Sequence, residues 1–453
     1  MLKTGRRELT VARLPSAVRL YNKSPRWAST QARRPRTAIF FPGQGVQRVG
    51  MLKPWIDAFP GSVKPIVEEI DHVLQLPLSK TIENGPNSIL NATENSQPAI
   101  MATSILVLRV LEQEFAFKTG ERVDYTLGHS LGEFAALVAG GYLEFEDALL
   151  MVRKRGEVMA QISHEAVAQI GGAVGMVALV CENESHLLSL IDGIDNFTKV
   201  SKYDSTRNIP PVEQVVIANI NSKNQIVLSG SIDKINTLLT HLRQFGGHDP
   251  RAVRLHSDSP FHSPLMKPAQ DVMRKILNTK SVVTGEDIIK FPGRVPCISN
   301  VSARPFKSRE DLKDLLARQT TETVNWWDSV RYLDKQESVR RWIGIGPGKV
   351  GRNLVGKEVG MKGIVKGGGV WGITTPKEAE ETIKALDETE KWAEDESDNP
   401  IRSSIVSTIE TAPKVFHSTS LSQRLQNQLR TPAYVFNPTI VQQLWPPPQA
   451  ISD

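Results

Sequence analysis

The pentapeptide Gly128-His129-Ser130-Leu131-Gly132 restricts the folds open to this chain more than any other feature. Val123-Asp124-Tyr125-Thr126-Leu127 before it reads as a short strand. Glu133-Phe134-Ala135-Ala136-Leu137-Val138-Ala139 after it reads as a helix rich in alanine and leucine. A strand that turns at once into a helix leaves no room for Cβ atoms beside the serine, so glycine is needed on both sides. The serine Oγ then stands at the helix N-terminus, where free backbone N–H groups can hold a developing oxyanion. The pattern proposes a nucleophile and an α/β scaffold together. Taken alone it also fits a serine that caps an ordinary helix.

With 453 residues the chain can hold two or more domains, or one large core with an insertion. No apolar run approaches the roughly 18–20 residues needed to span a bilayer, so no membrane span is expected. The formal charge is +6, but its placement decides its meaning. Residues 1–36 hold ten Lys or Arg and one acid, Glu8, and the remainder holds 45 basic and 48 acidic residues, a net −3. A nucleic-acid partner therefore loses its main support. The first 36 residues are arginine-rich, contain serines and lack an apolar h-region. They read as a mitochondrial transit peptide, with a matrix location implied; a basic arm is the alternative. The two cysteines, Cys181 and Cys297, lie far apart in apolar stretches and read as small core residues. No His/Cys/Asp/Glu spacing suggests a metal.

Thr37-Ala38-Ile39-Phe40-Phe41 reads as a buried strand delivering Pro42-Gly43-Gln44-Gly45 to the carboxyl edge of a sheet. Neither the dinucleotide fingerprint nor a Walker A sequence is present, so no nucleotide cofactor is expected. Helical patterns cover about 99–117 and 144–162. Between 166 and 252 the texture changes: Val174–Val180, Val215–Ile217 and Ile226–Leu228 suggest strands, with a helix near 231–245. This predicts a small α+β subdomain, 166–252, inserted into a large α/β domain formed by 37–165 and 253–375. Residues 191–213, with Gly193, Pro210 and Pro211, read as a loop. A further helix fits 309–317, and a strand fits 338–345. From 376 the chain is acidic and helix-prone, then polar, and 376–453 reads as a largely mobile extension.

A serine hydroxyl is a poor nucleophile until a base accepts its proton. His262, in Ser259-Pro260-Phe261-His262-Ser263, and His256 are the local candidates, with His262 favoured by the flanking prolines. Phe41-Pro42-Gly43-Gln44-Gly45, Gln97-Pro98-Ala99, the Gly128–Glu133 turn, Arg153-Lys154-Arg155-Gly156, Phe261-His262-Ser263, Ala317-Arg318-Gln319 and Gly346-Pro347-Gly348-Lys349 follow one another in a recognisable order. The chain resembles malonyl-CoA:acyl carrier protein transacylases of a mitochondrial, fungal-like type over about 37–365.

That resemblance implies an α/β-hydrolase-like large domain with a parallel sheet and an inserted ferredoxin-like α+β subdomain. It implies Ser130 as the acyl-accepting nucleophile and His262 as general base and acid. The histidine would be oriented by a backbone carbonyl near Gln319 rather than by an aspartate. Gln44 and Leu131 match the positions whose N–H groups form the oxyanion hole. Arg155 matches the arginine that pairs with the malonyl carboxylate, and Gln319 lines the same pocket. Phe261 is similar to members that take malonyl rather than a bulkier branched unit. Read without the resemblance, Arg155 could equally be an exposed helix arginine like Arg153 and Lys154. A buried guanidinium, by contrast, would bind a carboxylate through two parallel hydrogen bonds and disfavour acetyl. The implied partners are malonyl-CoA and acyl carrier protein, and a monomer is the default. A serine thioester hydrolase and a catalytically silent scaffold are the competing readings.

Overall fold

A computed structural model describes residues 34–203, 210–255, 257 and 259–395. Its larger sheet has five parallel strands: β1 (Arg36–Phe41), β2 (Tyr125–Gly128), β7 (Cys297–Ile298), β8 (Val339–Ile345) and β9 (Gly369–Ile373), in the order β7-β2-β1-β8-β9. A parallel strand in mid-sheet is covered on both faces and has to be apolar throughout. Ala38, Ile39, Phe40 and Phe41 of β1 are all buried accordingly. The helices Thr93–Glu114, Gly132–Ala139 and Phe145–Ile170 fill one side of the core. Every strand of this sheet runs the same way. The segments following β1, β2, β7 and β8 therefore emerge at one edge, where open α/β sheets place their sites.

The second sheet is antiparallel and comes from β3 (Val174–Val180), β4 (Val216–Ser222), β5 (Gln225–Ser231) and β6 (Arg251–Arg254), in the order β4-β5-β3-β6. Helices Glu184–Tyr203 and Ile232–Phe245 interrupt it to give a βαββαβ connectivity. Side-chain alternation divides its work. Val177, Leu179, Ile226 and Leu228 pack on Leu187, Leu190, Ile194, Leu238 and Leu242 of its own helices. Met176, Ala178 and Val227 face the other way, onto Met159, Ile162 and Phe261. One face thus makes the subdomain's core, and the other faces the loop that carries His262.

Four expectations from sequence need correction. Residues 191–203 are not loop, since the helix Glu184–Tyr203 continues through them. Leu187, Leu190 and Ile194 supply the helical spacing, and Gly193 brings that helix against Leu242 and His248, where a Cβ would stand 3.2 Å and 3.4 Å away. The boundaries at 165 and 252 cut through the helix Phe145–Ile170 and through β6. Residues 376–395 are no mobile extension either; they form the helix Pro376–Asp395, and Ala379, Ile383 and Leu386 join the main core. Finally, Arg34 and Arg36 belong to the fold rather than to a leader: Arg34 pairs with Asp124 at 2.7 Å and Arg36 opens β1. Residues 1–33 and 396–453 lie outside the described residues, as does His256.

Candidate active site

Ser130 stands in the short turn between β2, which ends at Gly128, and the helix Gly132–Ala139. Its φ is +50°, a left-handed conformation that costs a non-glycine residue on the order of 1 kcal/mol and needs local support. A Cβ on Gly132 would lie 2.4 Å from the Phe41 carbonyl oxygen, and one on Gly128 would lie 1.9 Å from the Gly132 backbone. Glycine at both places is a steric requirement of the turn. The same close approach brings the loop after β1 against the turn: a Cβ on Gly43 would stand 2.8 Å from the His129 carbonyl oxygen. The backbone N–H groups of Gln44 and Leu131 donate to no acceptor among the described residues.

His262, also at positive φ (+55°), places Nε2 2.7 Å from Ser130 Oγ and Nδ1 2.8 Å from the Gln319 carbonyl oxygen. A carbonyl only accepts, so Nδ1 carries the proton and Nε2 presents its lone pair to the serine hydroxyl, which donates. No aspartate is needed for this orientation. The Gln319 carbonyl is available because Gln319 is the C-cap of the helix Arg309–Arg318, where the last-turn carbonyls have no partner within the helix. The opposite end of that helix is fixed by Ser308, whose hydroxyl accepts from the Asp311 N–H at 3.1 Å. Burial, followed by the charge of Arg155, pushes the His262 imidazole down to about 3, so the ring is a neutral base.

Arg155 sits on the helix Phe145–Ile170 and is buried, whereas Arg153 and Lys154 beside it pair with Glu157 near the surface. Its guanidinium donates to Gln97 Oε1 at 2.7 Å and Gln319 Oε1 at 3.1 Å. No carboxylate of a described residue lies within ion-pair distance of it. Burial pushes its pKa down to about 10, opposed by Glu133. Its Cζ also stands 5.8 Å from the centre of the Phe134 ring. A buried cation hydrogen-bonded to neutral amides alone among the described residues is costly to leave so and favours an incoming carboxylate. Gln319 joins this cation to the nucleophile, because its Nε2 donates to the Ser130 carbonyl at 2.6 Å. Gln44 enters the network through its side chain, whose Oε1 accepts from Gln97 Nε2 at 3.2 Å.

The structure therefore brings Ser130, His262, Arg155, Gln319, Gln44 and Leu131 to one edge of the large sheet. Phe261 lies in the apolar cluster between the helix Phe145–Ile170 and the smaller sheet, next to His262 in the chain. Three residues of the site have no role assigned from sequence. Gln97 falls inside a quoted motif and is a buried amide on the helix Thr93–Glu114. Asn300 follows β7 and donates from Nδ2 to the Gly128 carbonyl at 2.7 Å, while its Oδ1 accepts from the Ser130 N–H at 2.7 Å. Glu133 is fully buried; burial pushes its carboxyl up to about 8, and its Oε1 accepts from the Asn300 N–H at 3.0 Å. Among the described residues no cluster of His, Cys, Asp and Glu could hold a metal, and no helix is long and apolar enough to cross a membrane.

Comparison with known proteins agrees with this chemistry. Residues 39–194 match the acyl transferase domain family. A malonyl CoA-acyl carrier protein transacylase of Bacillus subtilis (strain 168) is 37% identical over 322 residues, covering 71% of this chain and 90% of that protein. One from Staphylococcus aureus (strain COL) is 32% identical over 327 residues, covering 71% and 92%. Among solved structures, an acyl-carrier-protein-S-malonyltransferase from Bartonella henselae superposes with a TM-score of 0.62 at 31% identity, covering 78% of this chain and 99% of that one. A malonyl-transacylase solved in complex with its type II PKS acyl-carrier protein gives 0.61 at 28% identity, covering 77% and 99%.

Proposed function

This chain belongs to the malonyl CoA-acyl carrier protein transacylase family, acyltransferases that move a malonyl group from CoA to an acyl carrier protein for fatty acid synthesis, and from that premise we propose how its residues divide the reaction and where it occurs. Ser130 Oγ attacks the thioester carbonyl carbon of malonyl-CoA as its proton passes to His262 Nε2. The N–H groups of Leu131 and Gln44 hold the oxyanion. Collapse breaks the C–S bond, and His262 returns the proton to the CoA sulfur, leaving malonyl-Ser130. The phosphopantetheine thiol of the carrier then enters, gives its proton to His262 and takes the malonyl group by the reverse sequence. The scheme is ping-pong and needs no metal or organic cofactor for proton or acyl movement.

The observation that carries this reading is Arg155: a buried guanidinium whose hydrogen-bond partners among the described residues are neutral amides, joined through one glutamine to the serine and the histidine. It accounts for an acid-bearing acyl group and gives a hydrolase reading no advantage. The test is intact mass after brief mixing with malonyl-CoA, then with a thiol-bearing carrier. A malonyl increment on the Ser130 peptide should form and move to the carrier. Its loss to water at the same rate with and without carrier would refute transfer, and an adduct surviving in Ser130→Ala would refute the nucleophile. Arg155→Ala should lose about 10²-fold or more in kcat/KM for malonyl-CoA, the loss of charge-assisted bonds of roughly 1.5–3 kcal/mol each, and should gain relative acceptance of acetyl-CoA. Equal losses for both substrates would make the arginine structural.

The proposed location is the mitochondrial matrix, on the strength of the arginine-rich, acid-poor composition of residues 1–33. Fused to a fluorescent protein, those residues should deliver it to mitochondria. Fluorescence spread through the cytosol would sink the idea.

A further inference from the structure

Ser130 is held in its left-handed conformation from three directions. Its carbonyl accepts from Gln319 Nε2 at 2.6 Å and from the Glu133 N–H at 3.0 Å, and its own N–H is taken by Asn300 Oδ1 at 2.7 Å. The third of these has an unusual form. The same Asn300 carboxamide donates to the Gly128 carbonyl at 2.7 Å, so one planar group spans the turn from the residue two before the nucleophile to the nucleophile itself. Both orientations of the amide are fixed by chemistry, because the Ser130 N–H only donates and the Gly128 carbonyl only accepts. Only a side chain with a donor and an acceptor side by side completes this bridge. Asn300 is itself buried and tied at both backbone atoms: its N–H donates to Glu133 Oε1 at 3.0 Å and its carbonyl accepts from the Asn325 N–H at 2.8 Å. Glu133 rides on the helix Gly132–Ala139 that follows Ser130, so the contacts close a ring from helix to Asn300 and back to the nucleophile.

The sheet explains why Asn300 can do this. β7 lies beside β2 with Leu127 opposite Ile298, so continuing the parallel register two residues puts Asn300 level with His129 and Ser130 at the carboxyl edge. The bridge also settles which amides remain for an oxyanion. With the Ser130 N–H consumed by Asn300, the next N–H in the turn, that of Leu131, is the one left without an acceptor among the described residues.

We propose that Asn300 is a positioning residue for acyl transfer, whose carboxamide holds the Ser130 peptide units so that Oγ meets His262 and the Leu131 N–H stays aimed at the oxyanion. It touches neither substrate nor reacting atoms. The proposal rests on Ser130 being the nucleophile. Displacing a reacting group by about 1 Å costs on the order of 10²-fold in rate, and the loss should appear in kcat.

The experiment compares Asn300→Asp, Asn300→Ser and the natural full-length chain, reading by rapid-quench intact mass both the fraction of protein that can be malonylated and the rate constant of malonylation across malonyl-CoA concentrations. Asn300→Asp keeps the shape and the acceptor but removes the donor to Gly128. The expected result is a fraction near that of the natural chain, a half-saturating malonyl-CoA concentration within about threefold, and a malonylation rate constant lower by about 10²-fold, with Asn300→Ser at least as slow. Four results would overturn the proposal: an unchanged rate constant, a loss carried by half-saturation, a smaller active fraction reacting at the natural rate, or failure of both variants to fold. An absence of Ser130 adduct in the natural chain would instead refute the nucleophile, which separates the two failures.

Discussion

His262 is the residue whose environment most departs from water, and the departure has a sign that can be checked. Burial and then the neighbouring Arg155 cation disfavour its charged form and hold it near 3 against an ordinary 6.5. A base with a lowered pKa stays unprotonated as the solution is acidified until pH falls through the lowered value. In the free enzyme, kcat/KM for malonyl-CoA should therefore stay level between pH 5 and 8 rather than halve near 6.5. Removing the cation should move the acid limb upward, so Arg155→Ala assayed with acetyl-CoA should begin to lose activity at a higher pH than the parent chain does with the same substrate. A profile centred at 6.5 in the parent would mean the imidazole titrates as it would in water. Ser130 was legible in its own glycine-flanked turn, whereas His262, Arg155 and Gln319 became legible only through the resemblance that the ordered motifs carry, since locally His256 competes with His262 and Arg155 reads like Arg153. Asn300 was not: it reaches Ser130 across 170 positions, and nothing local to Ser299-Asn300-Val301 signals that its strand lies beside β2. The one available hint, an amide just past a short apolar strand, is common.

At the scale of elements, the strand–turn–helix unit works because backbone meets backbone with no side chain between. Gly132→Ala would put a methyl group 2.4 Å from the Phe41 carbonyl oxygen and 2.8 Å from that of Pro42. Backbone cannot swing aside as a long side chain does, so the helix must shift from the loop that carries Gln44. Overpacking of this kind costs roughly 1–3 kcal/mol of stability. The effect on chemistry should be larger, about 10²-fold or more in the malonylation rate, because the displaced parts include Ser130 and the Leu131 N–H. Thermal unfolding and rapid-quench mass measured on the same sample would separate the two. A variant destabilised but chemically intact would show that the contact serves packing alone. The same physics explains which elements could be read in advance. β1 and the helix Gly132–Ala139 carry unbroken apolar runs or glycines at forced positions. In the helix Glu184–Tyr203 the apolar spacing is diluted by polar residues and by Gly193, which looks like a breaker until Leu242 and His248 are known to press against it. β6, Arg-Ala-Val-Arg at the sheet edge with every residue exposed, has no buried face to give it a pattern.

Over the whole molecule, the unexpected feature is that the large domain is closed by chain beyond the family motifs. β9 is the edge of the parallel sheet, and the helix Pro376–Asp395 that follows it covers the adjoining core with Ala379, Ile383 and Leu386. It also supplies the acids for two inward arginines. Glu390 lies 3.0 Å from Arg341, whose side chain is 1% exposed, and 3.1 Å from Arg122, which Asp387 approaches to 2.7 Å. A composition rich in Glu and Lys conceals this, since the acids look like a solvated face until the cations they meet are placed. Breaking a buried pair by removing one partner typically costs 3–5 kcal/mol, because the remaining charge has no compensation. A chain ended after Thr375 loses all three of these ion pairs and three core side chains together, which is a large share of the roughly 5–15 kcal/mol that holds a domain folded. Its soluble yield and melting temperature should fall sharply relative to a chain ended after Asp395, and malonyl transfer should fall with the folded fraction while the rate per malonylated serine is unchanged. Ser130 and its partners are not in contact with this helix, so a loss confined to the rate, with the melting temperature preserved, would mean that the helix acts on the site rather than on the fold. Equal melting temperatures and equal rates would reduce it to an appendage and leave the burial of Arg341 without its proposed compensation.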